Sequence, residues 1–167
     1  MSSAERTLAA IEDAGVVAVI RMDTPERLPD VVAALVEAGI RALEVTMTVP
    51  GAIEHIRRTA ATLPDGFVLG AGTVTDADTV HRAIDAGASF IVSPVFRRAV
   101  MDAALARGAA VAPGCLTPTE ILDAWDAGAR LVKVFPATAL GPGYLKDIHG
   151  PMPHVRLMPT GGVTVDN

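Results

Sequence analysis

The chain has 167 residues, half of them apolar and a fifth charged, and 14 basic against 19 acidic side chains give a formal net charge of −5. This composition excludes a disordered tail and a coiled coil and supplies one sizeable core. It argues against general nucleic-acid binding, which needs a basic surface, and no uninterrupted apolar run is long enough to span a bilayer. Cys115 is the single cysteine, so no intrachain disulfide can form and a reducing cytoplasmic compartment is expected. The N-terminal stretch MSSAERTLAAIEDAG is amphipathic and charged, unlike a signal peptide.

One pattern recurs in chain order. A helical stretch ends in a small residue and Gly, and an apolar, β-rich run follows: EDAGVVAVIR (12–21), EAGIRALEVTM (37–47), DAGASFIVSP (85–94), ARGAAVAPG (106–114) and DAGARLVKVFP (126–136). Gly adopts the left-handed conformation that ends a helix at low cost. The runs after it are continuously apolar rather than alternating, which suits strands covered on both faces in a parallel sheet. FVLGAGTV (67–74) and VRLMPTGGV (155–163) complete the series. Thr24-Pro25 and Thr117-Pro118 each pair a capping hydroxyl with Pro at a first helical position. Thr117 and Glu120 form a capping box, and Thr75 with Asp78 a weaker version.

The predicted strands begin near 16, 42, 68, 90, 109, 131 and 155. Even spacing of this kind means repeated βα units, and right-handed crossovers curl such units into a barrel. A doubly wound dinucleotide fold would need glycines in the first βα turn, which reads VIRMDTPE and has none. The expectation is a single domain over 1–167, a (β/α)₈ barrel with seven strands visible and the eighth βα unit missing at the C-terminal end.

Three charged residues interrupt the apolar strands. Lys133 sits in LVKVFP, where desolvation lowers an ammonium pKa and frees the neutral amine needed for a Schiff base. The plainer alternative is a strand-end lysine whose ammonium reaches water. Glu44 sits in ALEVTM, where burial raises and a nearby cation lowers a carboxyl pKa; it is either a proton shuttle or half of a structural ion pair. Arg21 closes the first strand and either holds a carboxylate, pairs with Glu44, or opens a solvated loop. Barrel active sites collect at C-terminal strand ends, where such residues belong.

Other signals are weaker. Gly70-Ala71-Gly72-Thr73 either serves chemistry or simply permits close packing. Thr160-Gly161-Gly162 follows the seventh strand, where backbone amides can bind an anion, or it is an ordinary turn. Cys115 has no evident histidine partner and reads as a buried thiol. His55, His81, His149 and His154 show no metal-ligand spacing, and Trp125 reads as helix-to-sheet packing. No metal or other cofactor is expected.

Six blocks taken together resemble the 2-keto-3-deoxy-6-phosphogluconate/4-hydroxy-2-oxoglutarate (KDPG/KHG) aldolases: ALEVTMTVPGA (42–52), GAGTVTD (70–76), FIVSP (90–94), PGCLTPTE (113–120), LVKVFPA (131–137) and PTGGV (159–163). The resemblance runs in order over the whole chain. It implies a TIM barrel, a class I, metal-independent aldolase and a homotrimer. It implies that Lys133 forms the Schiff base and that Glu44 is the general acid/base, working through a water. Thr73, Pro94, Phe135 and Thr160 match residues lining a pyruvate pocket, Arg21 the arginine near the substrate carboxylate or phosphate, and Gly161 and Gly162 part of a phosphate loop. Thr48 stands where some members carry Arg, which bears on carboxylate binding and substrate preference. The implied substrate is a 2-keto-4-hydroxy acid, phosphorylated in the Entner-Doudoroff case.

Two other readings remain at this stage. A phosphate-binding barrel of another reaction class, such as thiamine-phosphate synthase or a sugar-phosphate isomerase, would use the Thr160–Gly162 loop without needing Lys133 and Glu44 in one cavity. A non-catalytic, incomplete barrel would persist as an assembly or a fragment without turnover.

Overall fold

A computed structural model describes residues 1–167. Helix α1 (Ser3–Ala14) precedes the first strand, and strand and helix then alternate: β1 (Val17–Ile20), α2 (Leu28–Glu37), β2 (Ala42–Thr46), α3 (Ala52–Ala60), β3 (Val68–Gly72), α4 (Ala77–Asp85), β4 (Phe90–Val92), α5 (Arg98–Ala106), β5 (Ala110–Ala112), β6 (Gly114–Cys115), α6 (Pro118–Asp126), β7 (Val132–Val134), α7 (Gly141–His149) and β8 (Leu157–Pro159). Every ladder is parallel. Strands β1 to β5 form one sheet in sequence order, and β6, β7 and β8 form a second.

The expected fifth strand is therefore two segments. Pro113 lies between them, and a residue without an N–H cannot donate to a ladder. The register nevertheless carries through: Ser93 N–H donates to Ala112 O at 3.2 Å on one side, and Lys133 N–H donates to Pro113 O at 2.9 Å on the other. The expected VRLMP run forms a strand only from Leu157.

Strand periodicity sorts side chains into two cores. Leu43, Val45, Leu69, Ala71, Ile91, Val111, Val132 and Val134 face outward and pack with helix residues such as Ile56, Val80, Met101 and Ile121. Ala42, Phe90, Val92, Ala110, Ala112 and Leu131 face inward and pack with Leu8 and Ile11, so α1 plugs the N-terminal end. By the same alternation Glu44 and Lys133 point inward.

The helix ends follow local chemistry in part. The Thr117 capping box forms: Glu120 N–H donates to Thr117 Oγ1 at 3.3 Å, and Thr117 N–H donates to Glu120 Oε2 at 2.8 Å. Such a cap contributes about 1 kcal/mol. Two expected caps do not form. Thr24 caps nothing, because Pro25–Arg27 makes a 3₁₀ turn and α2 begins only at Leu28. Asp76 rather than Thr75 caps α4, accepting from Thr79 N–H at 2.8 Å. The glycines expected to end helices do so, with Gly15 at φ 70° capping α1.

The outer edges of β1 and β8 pair with no strand. Between them runs a groove of about 600 Å³, lined by Val17, Val19, Leu157 and Met158 among others and reaching Glu44. Val16 and Val19 are half exposed there. Unpaired edges beside apolar side chains invite strand addition. The 167-residue chain is therefore expected to self-associate in size-exclusion chromatography. A version extended by a strand and helix is expected to elute as a single defined species. A monodisperse monomer of the short form would show that these edges are protected in another way.

Candidate active site

Glu44 lies at the centre of β2, every residue of which is buried, and is itself 2% exposed. It pairs in register with Val19 on one side and Gly70 on the other. Burial pushes its carboxyl pKa above the ordinary value, against the opposing fields of Lys133 and then Arg21. Lys133, at the centre of β7, is 6% exposed and pairs with Gly114 and Met158. Burial pulls its ammonium pKa down, the Glu44 charge pushes it up, and Arg21 adds to the lowering. Its Nζ sits 4.7 Å from the centre of the Phe135 ring. Burial is the largest effect on each group, and it works against the charged form of both while their mutual attraction works for it.

Arg21 follows β1 at the rim and is exposed, and its Nη2 donates to Thr73 Oγ1 at 3.4 Å. Thr73 follows β3 with φ 59°, in the left-handed region that a β-branched residue rarely adopts. Thr46 is fully buried two residues beyond Glu44; its hydroxyl donates to Ile20 O at 3.1 Å and lies 2.8 Å from Thr48 Oγ1. Thr48 is exposed, and its hydroxyl is held by this pairing.

Thr160 extends β8: its N–H donates to Val134 O at 3.0 Å, and its carbonyl accepts from Ala137 N–H at 2.9 Å. Gly161 and Gly162 both have positive φ, and a Cβ on Gly162 would stand 2.9 Å from Thr138 Cα, so this turn admits only glycine. Thr160, Gly161 and Gly162 line the same groove as Glu44. Phe135 follows β7 and is reached by the Lys133 ammonium. Pro94 follows β4, and its carbonyl lies against Gly114, where a Cβ would overlap it; no hydrogen bond ties Pro94 to Glu44 or Lys133. Geometry and charge thus join Glu44, Lys133, Arg21, Thr73 and Phe135, with Thr160–Gly162 on the adjoining groove wall. Thr48 and Pro94 stand outside that network.

Cys115 is buried, and burial, then the Glu120 and Asp123 charges, push its thiol up to about 12, which leaves it inert. Its neighbour Leu116 offers its carbonyl to the Tyr144 hydroxyl of α7. Trp125 packs against the core and also carries a surface cluster, with His154 edge-on at 5.8 Å and the Arg130 guanidinium 5.3 Å over its ring. His149 Nε2 bonds Val155 O at 2.9 Å. No group of three or more His, Cys, Asp or Glu side chains has a metal-ligating arrangement, and no helix is long and apolar enough to cross a membrane. Sequence reasoning missed Thr46. Its signal was a hydroxyl two residues from Glu44 in an otherwise apolar strand, hence on the same face.

A parallel α/β array that buries an amine and a carboxyl group on its inner face defines a barrel enzyme. Residues 8–167 match the family described as KDPG and KHG aldolase. The chain is 37% identical over 152 residues to the probable 2-dehydro-3-deoxy-6-phosphogalactonate aldolase of Rhizobium meliloti, covering 90% of this chain and 72% of that protein. It is 38% identical over 167 residues to the 2-dehydro-3-deoxy-phosphogluconate aldolase of Dickeya dadantii, covering 99% and 76%. The KDPG aldolase of Legionella pneumophila, solved with pyruvate captured as a covalent carbinolamine intermediate, superposes with a TM-score of 0.88 at 33% identity, covering 96% of this chain and 78% of that one. The chain belongs to the KDPG and KHG aldolase family, class I aldolases on a TIM-barrel-like α/β fold.

Proposed function

We propose that this chain releases pyruvate from a 2-keto-4-hydroxy acid by retro-aldol cleavage through Lys133. The carrying observation is the placement of two buried ionisable side chains, the amine of Lys133 and the carboxyl of Glu44, at strand centres on one inner face, where burial pushes the first pKa down and the second up. The neutral amine of Lys133 attacks the C2 ketone to give a carbinolamine, which loses water to form an iminium. Glu44, through a water, takes the proton of the C4 hydroxyl. The C3–C4 bond breaks and its electron pair moves into the iminium, which becomes an enamine as the aldehyde leaves. Protonation at C3 and hydrolysis then release pyruvate and regenerate Lys133. The aldehyde is glyceraldehyde 3-phosphate from the Entner-Doudoroff substrate, or glyoxylate from 4-hydroxy-2-oxoglutarate.

Arg21 is the carboxylate or phosphate ligand in this reading. Thr48 offers only a hydroxyl, already shared with Thr46, while Arg21 is the cation whose field reaches both Glu44 and Lys133. Thr73, Pro94, Phe135 and Thr160 line the pyruvate pocket, with Thr48 at its rim, and Gly161 and Gly162 present backbone amides to phosphate. A homotrimer in the cytoplasm completes the proposal, the compartment supported by the single, unpaired cysteine.

Borohydride reduction in the presence of pyruvate tests it. One covalent adduct is expected on Lys133 by mass spectrometry, and chelator is expected to change neither trapping nor cleavage, because the iminium supplies the electrophile. Absence of the adduct, or activity lost to chelator and restored by a divalent ion, would move the protein to another mechanistic class.

A further inference from the structure

The pair Gly70 and Gly72 is not accounted for by that mechanism. Both lie on the inward face of β3, in register with Glu44 and Thr46 of β2. The space that a side chain would take at Gly70 holds the Phe90 ring. The corresponding space at Gly72 holds the Glu44 side chain: a Cβ there would overlap Oε1 and stand 2.5 Å from Cδ and 2.8 Å from Cγ. Gly72 has no positive φ, so its backbone would accept alanine, and the three atoms nearest to such a methyl all belong to the Glu44 side chain. No hydrogen bond contributes to the state of the carboxyl, which is set by burial and by the charges on Lys133 and Arg21. A carboxylate without a hydrogen-bonding partner in the protein is held in place by the shape of its surroundings.

We infer that Gly72 is a positioning residue: the gap left by its missing side chain is the seat that aims Glu44 across the barrel interior toward the carbon–carbon bond being broken. The role rests on the aldolase reading for its chemical consequence, though not for its geometry. A methyl group at position 72 evicts the carboxylate while leaving the strand intact, because the obstacle is the far end of a flexible side chain rather than backbone. Gly72→Ala is then a selective lesion of Glu44, made on a neighbouring strand.

The test is a double-mutant cycle with Glu44→Gln, joined to crystal structures of wild type and Gly72→Ala. Gly72→Ala is expected to fold, to show Glu44 turned away from β3, and to lose kcat by roughly 10²–10⁴-fold, the range for general acid–base catalysis, with KM little changed. Added to Glu44→Gln, it is expected to cost less than about threefold more, since the group it displaces is already disabled. Full additivity of the two losses would overturn the inference, as would wild-type turnover by Gly72→Ala or an unmoved Glu44 in its structure. If Gly72→Ala alone fails to fold, the pair Glu44→Ala/Gly72→Ala removes the overlap and should fold; failure of both would make Gly72 a backbone requirement and end the proposal. The crystal structures judge the seat whatever the reaction proves to be, so failure of the aldolase reading is separately visible as the absence of a borohydride adduct in wild type.

Discussion

Lys133→Ala is expected to abolish both the borohydride adduct with pyruvate and the release of pyruvate from 2-keto-4-hydroxy acids. The amine is the group that bonds covalently to the substrate in the proposed path, so its removal eliminates the covalent route rather than slowing a step. Lys133→Arg is expected to do no better, because a guanidinium stays protonated where the buried ammonium of Lys133 is held below its ordinary value of 10.5. The same shift sets a sign for pH. As pH rises the neutral fraction of Lys133 grows, so the initial trapping rate should climb and level off with an apparent pKa below that of an exposed lysine. Cleavage at the wild-type rate by either variant, in a soluble preparation that traps pyruvate before mutation, would end the Schiff-base proposal.

Glu44→Gln is expected to keep the side-chain shape and lose the proton transfer, with a fall of roughly 10²–10⁴-fold in kcat. Burial holds the carboxyl above its ordinary range, and the charges on Lys133 and Arg21 pull it back. Arg21→Ala therefore removes a force that lowers the carboxyl, and the acid limb of the kcat profile should move to higher pH in that variant. A change of less than tenfold in rate for Glu44→Gln, measured by coupled pyruvate detection, would reduce Glu44 to a structural ion partner of Lys133.

The strands were readable because burial on both faces writes itself as unbroken apolar runs. ALEVT and FIV are buried at every position. Charged residues inside such runs were equally visible, and Lys133 and Glu44 stand out for the same physical reason: each costs desolvation that a merely structural residue would avoid. Other features depend on contacts that local sequence does not encode. The Arg21–Thr73 hydrogen bond joins residues 52 apart. The place of Glu44 is decided by what is missing at Gly72, and a glycine in a strand looks the same whether it admits a ring, as at Gly70, or a carboxylate. The break at Pro113 was legible in principle, since proline cannot donate in a central strand, but the flanking apolar run concealed it.

That break has a mechanical consequence. Glu44 belongs to the five-stranded sheet and Lys133 to the three-stranded one, and no ladder other than the one through residues 112–115 joins the two. Side-chain packing supplies the rest of the connection: Leu131 and Met158 on the side of the second sheet lie against Phe90, Ala110 and Ala112 of the first, beneath Leu8 and Ile11 of α1. The nucleophile is mounted on one sheet and the carboxyl on the other. The spacing on which proton transfer depends is therefore fixed by the stopper that α1 forms under the strands as much as by the two side chains.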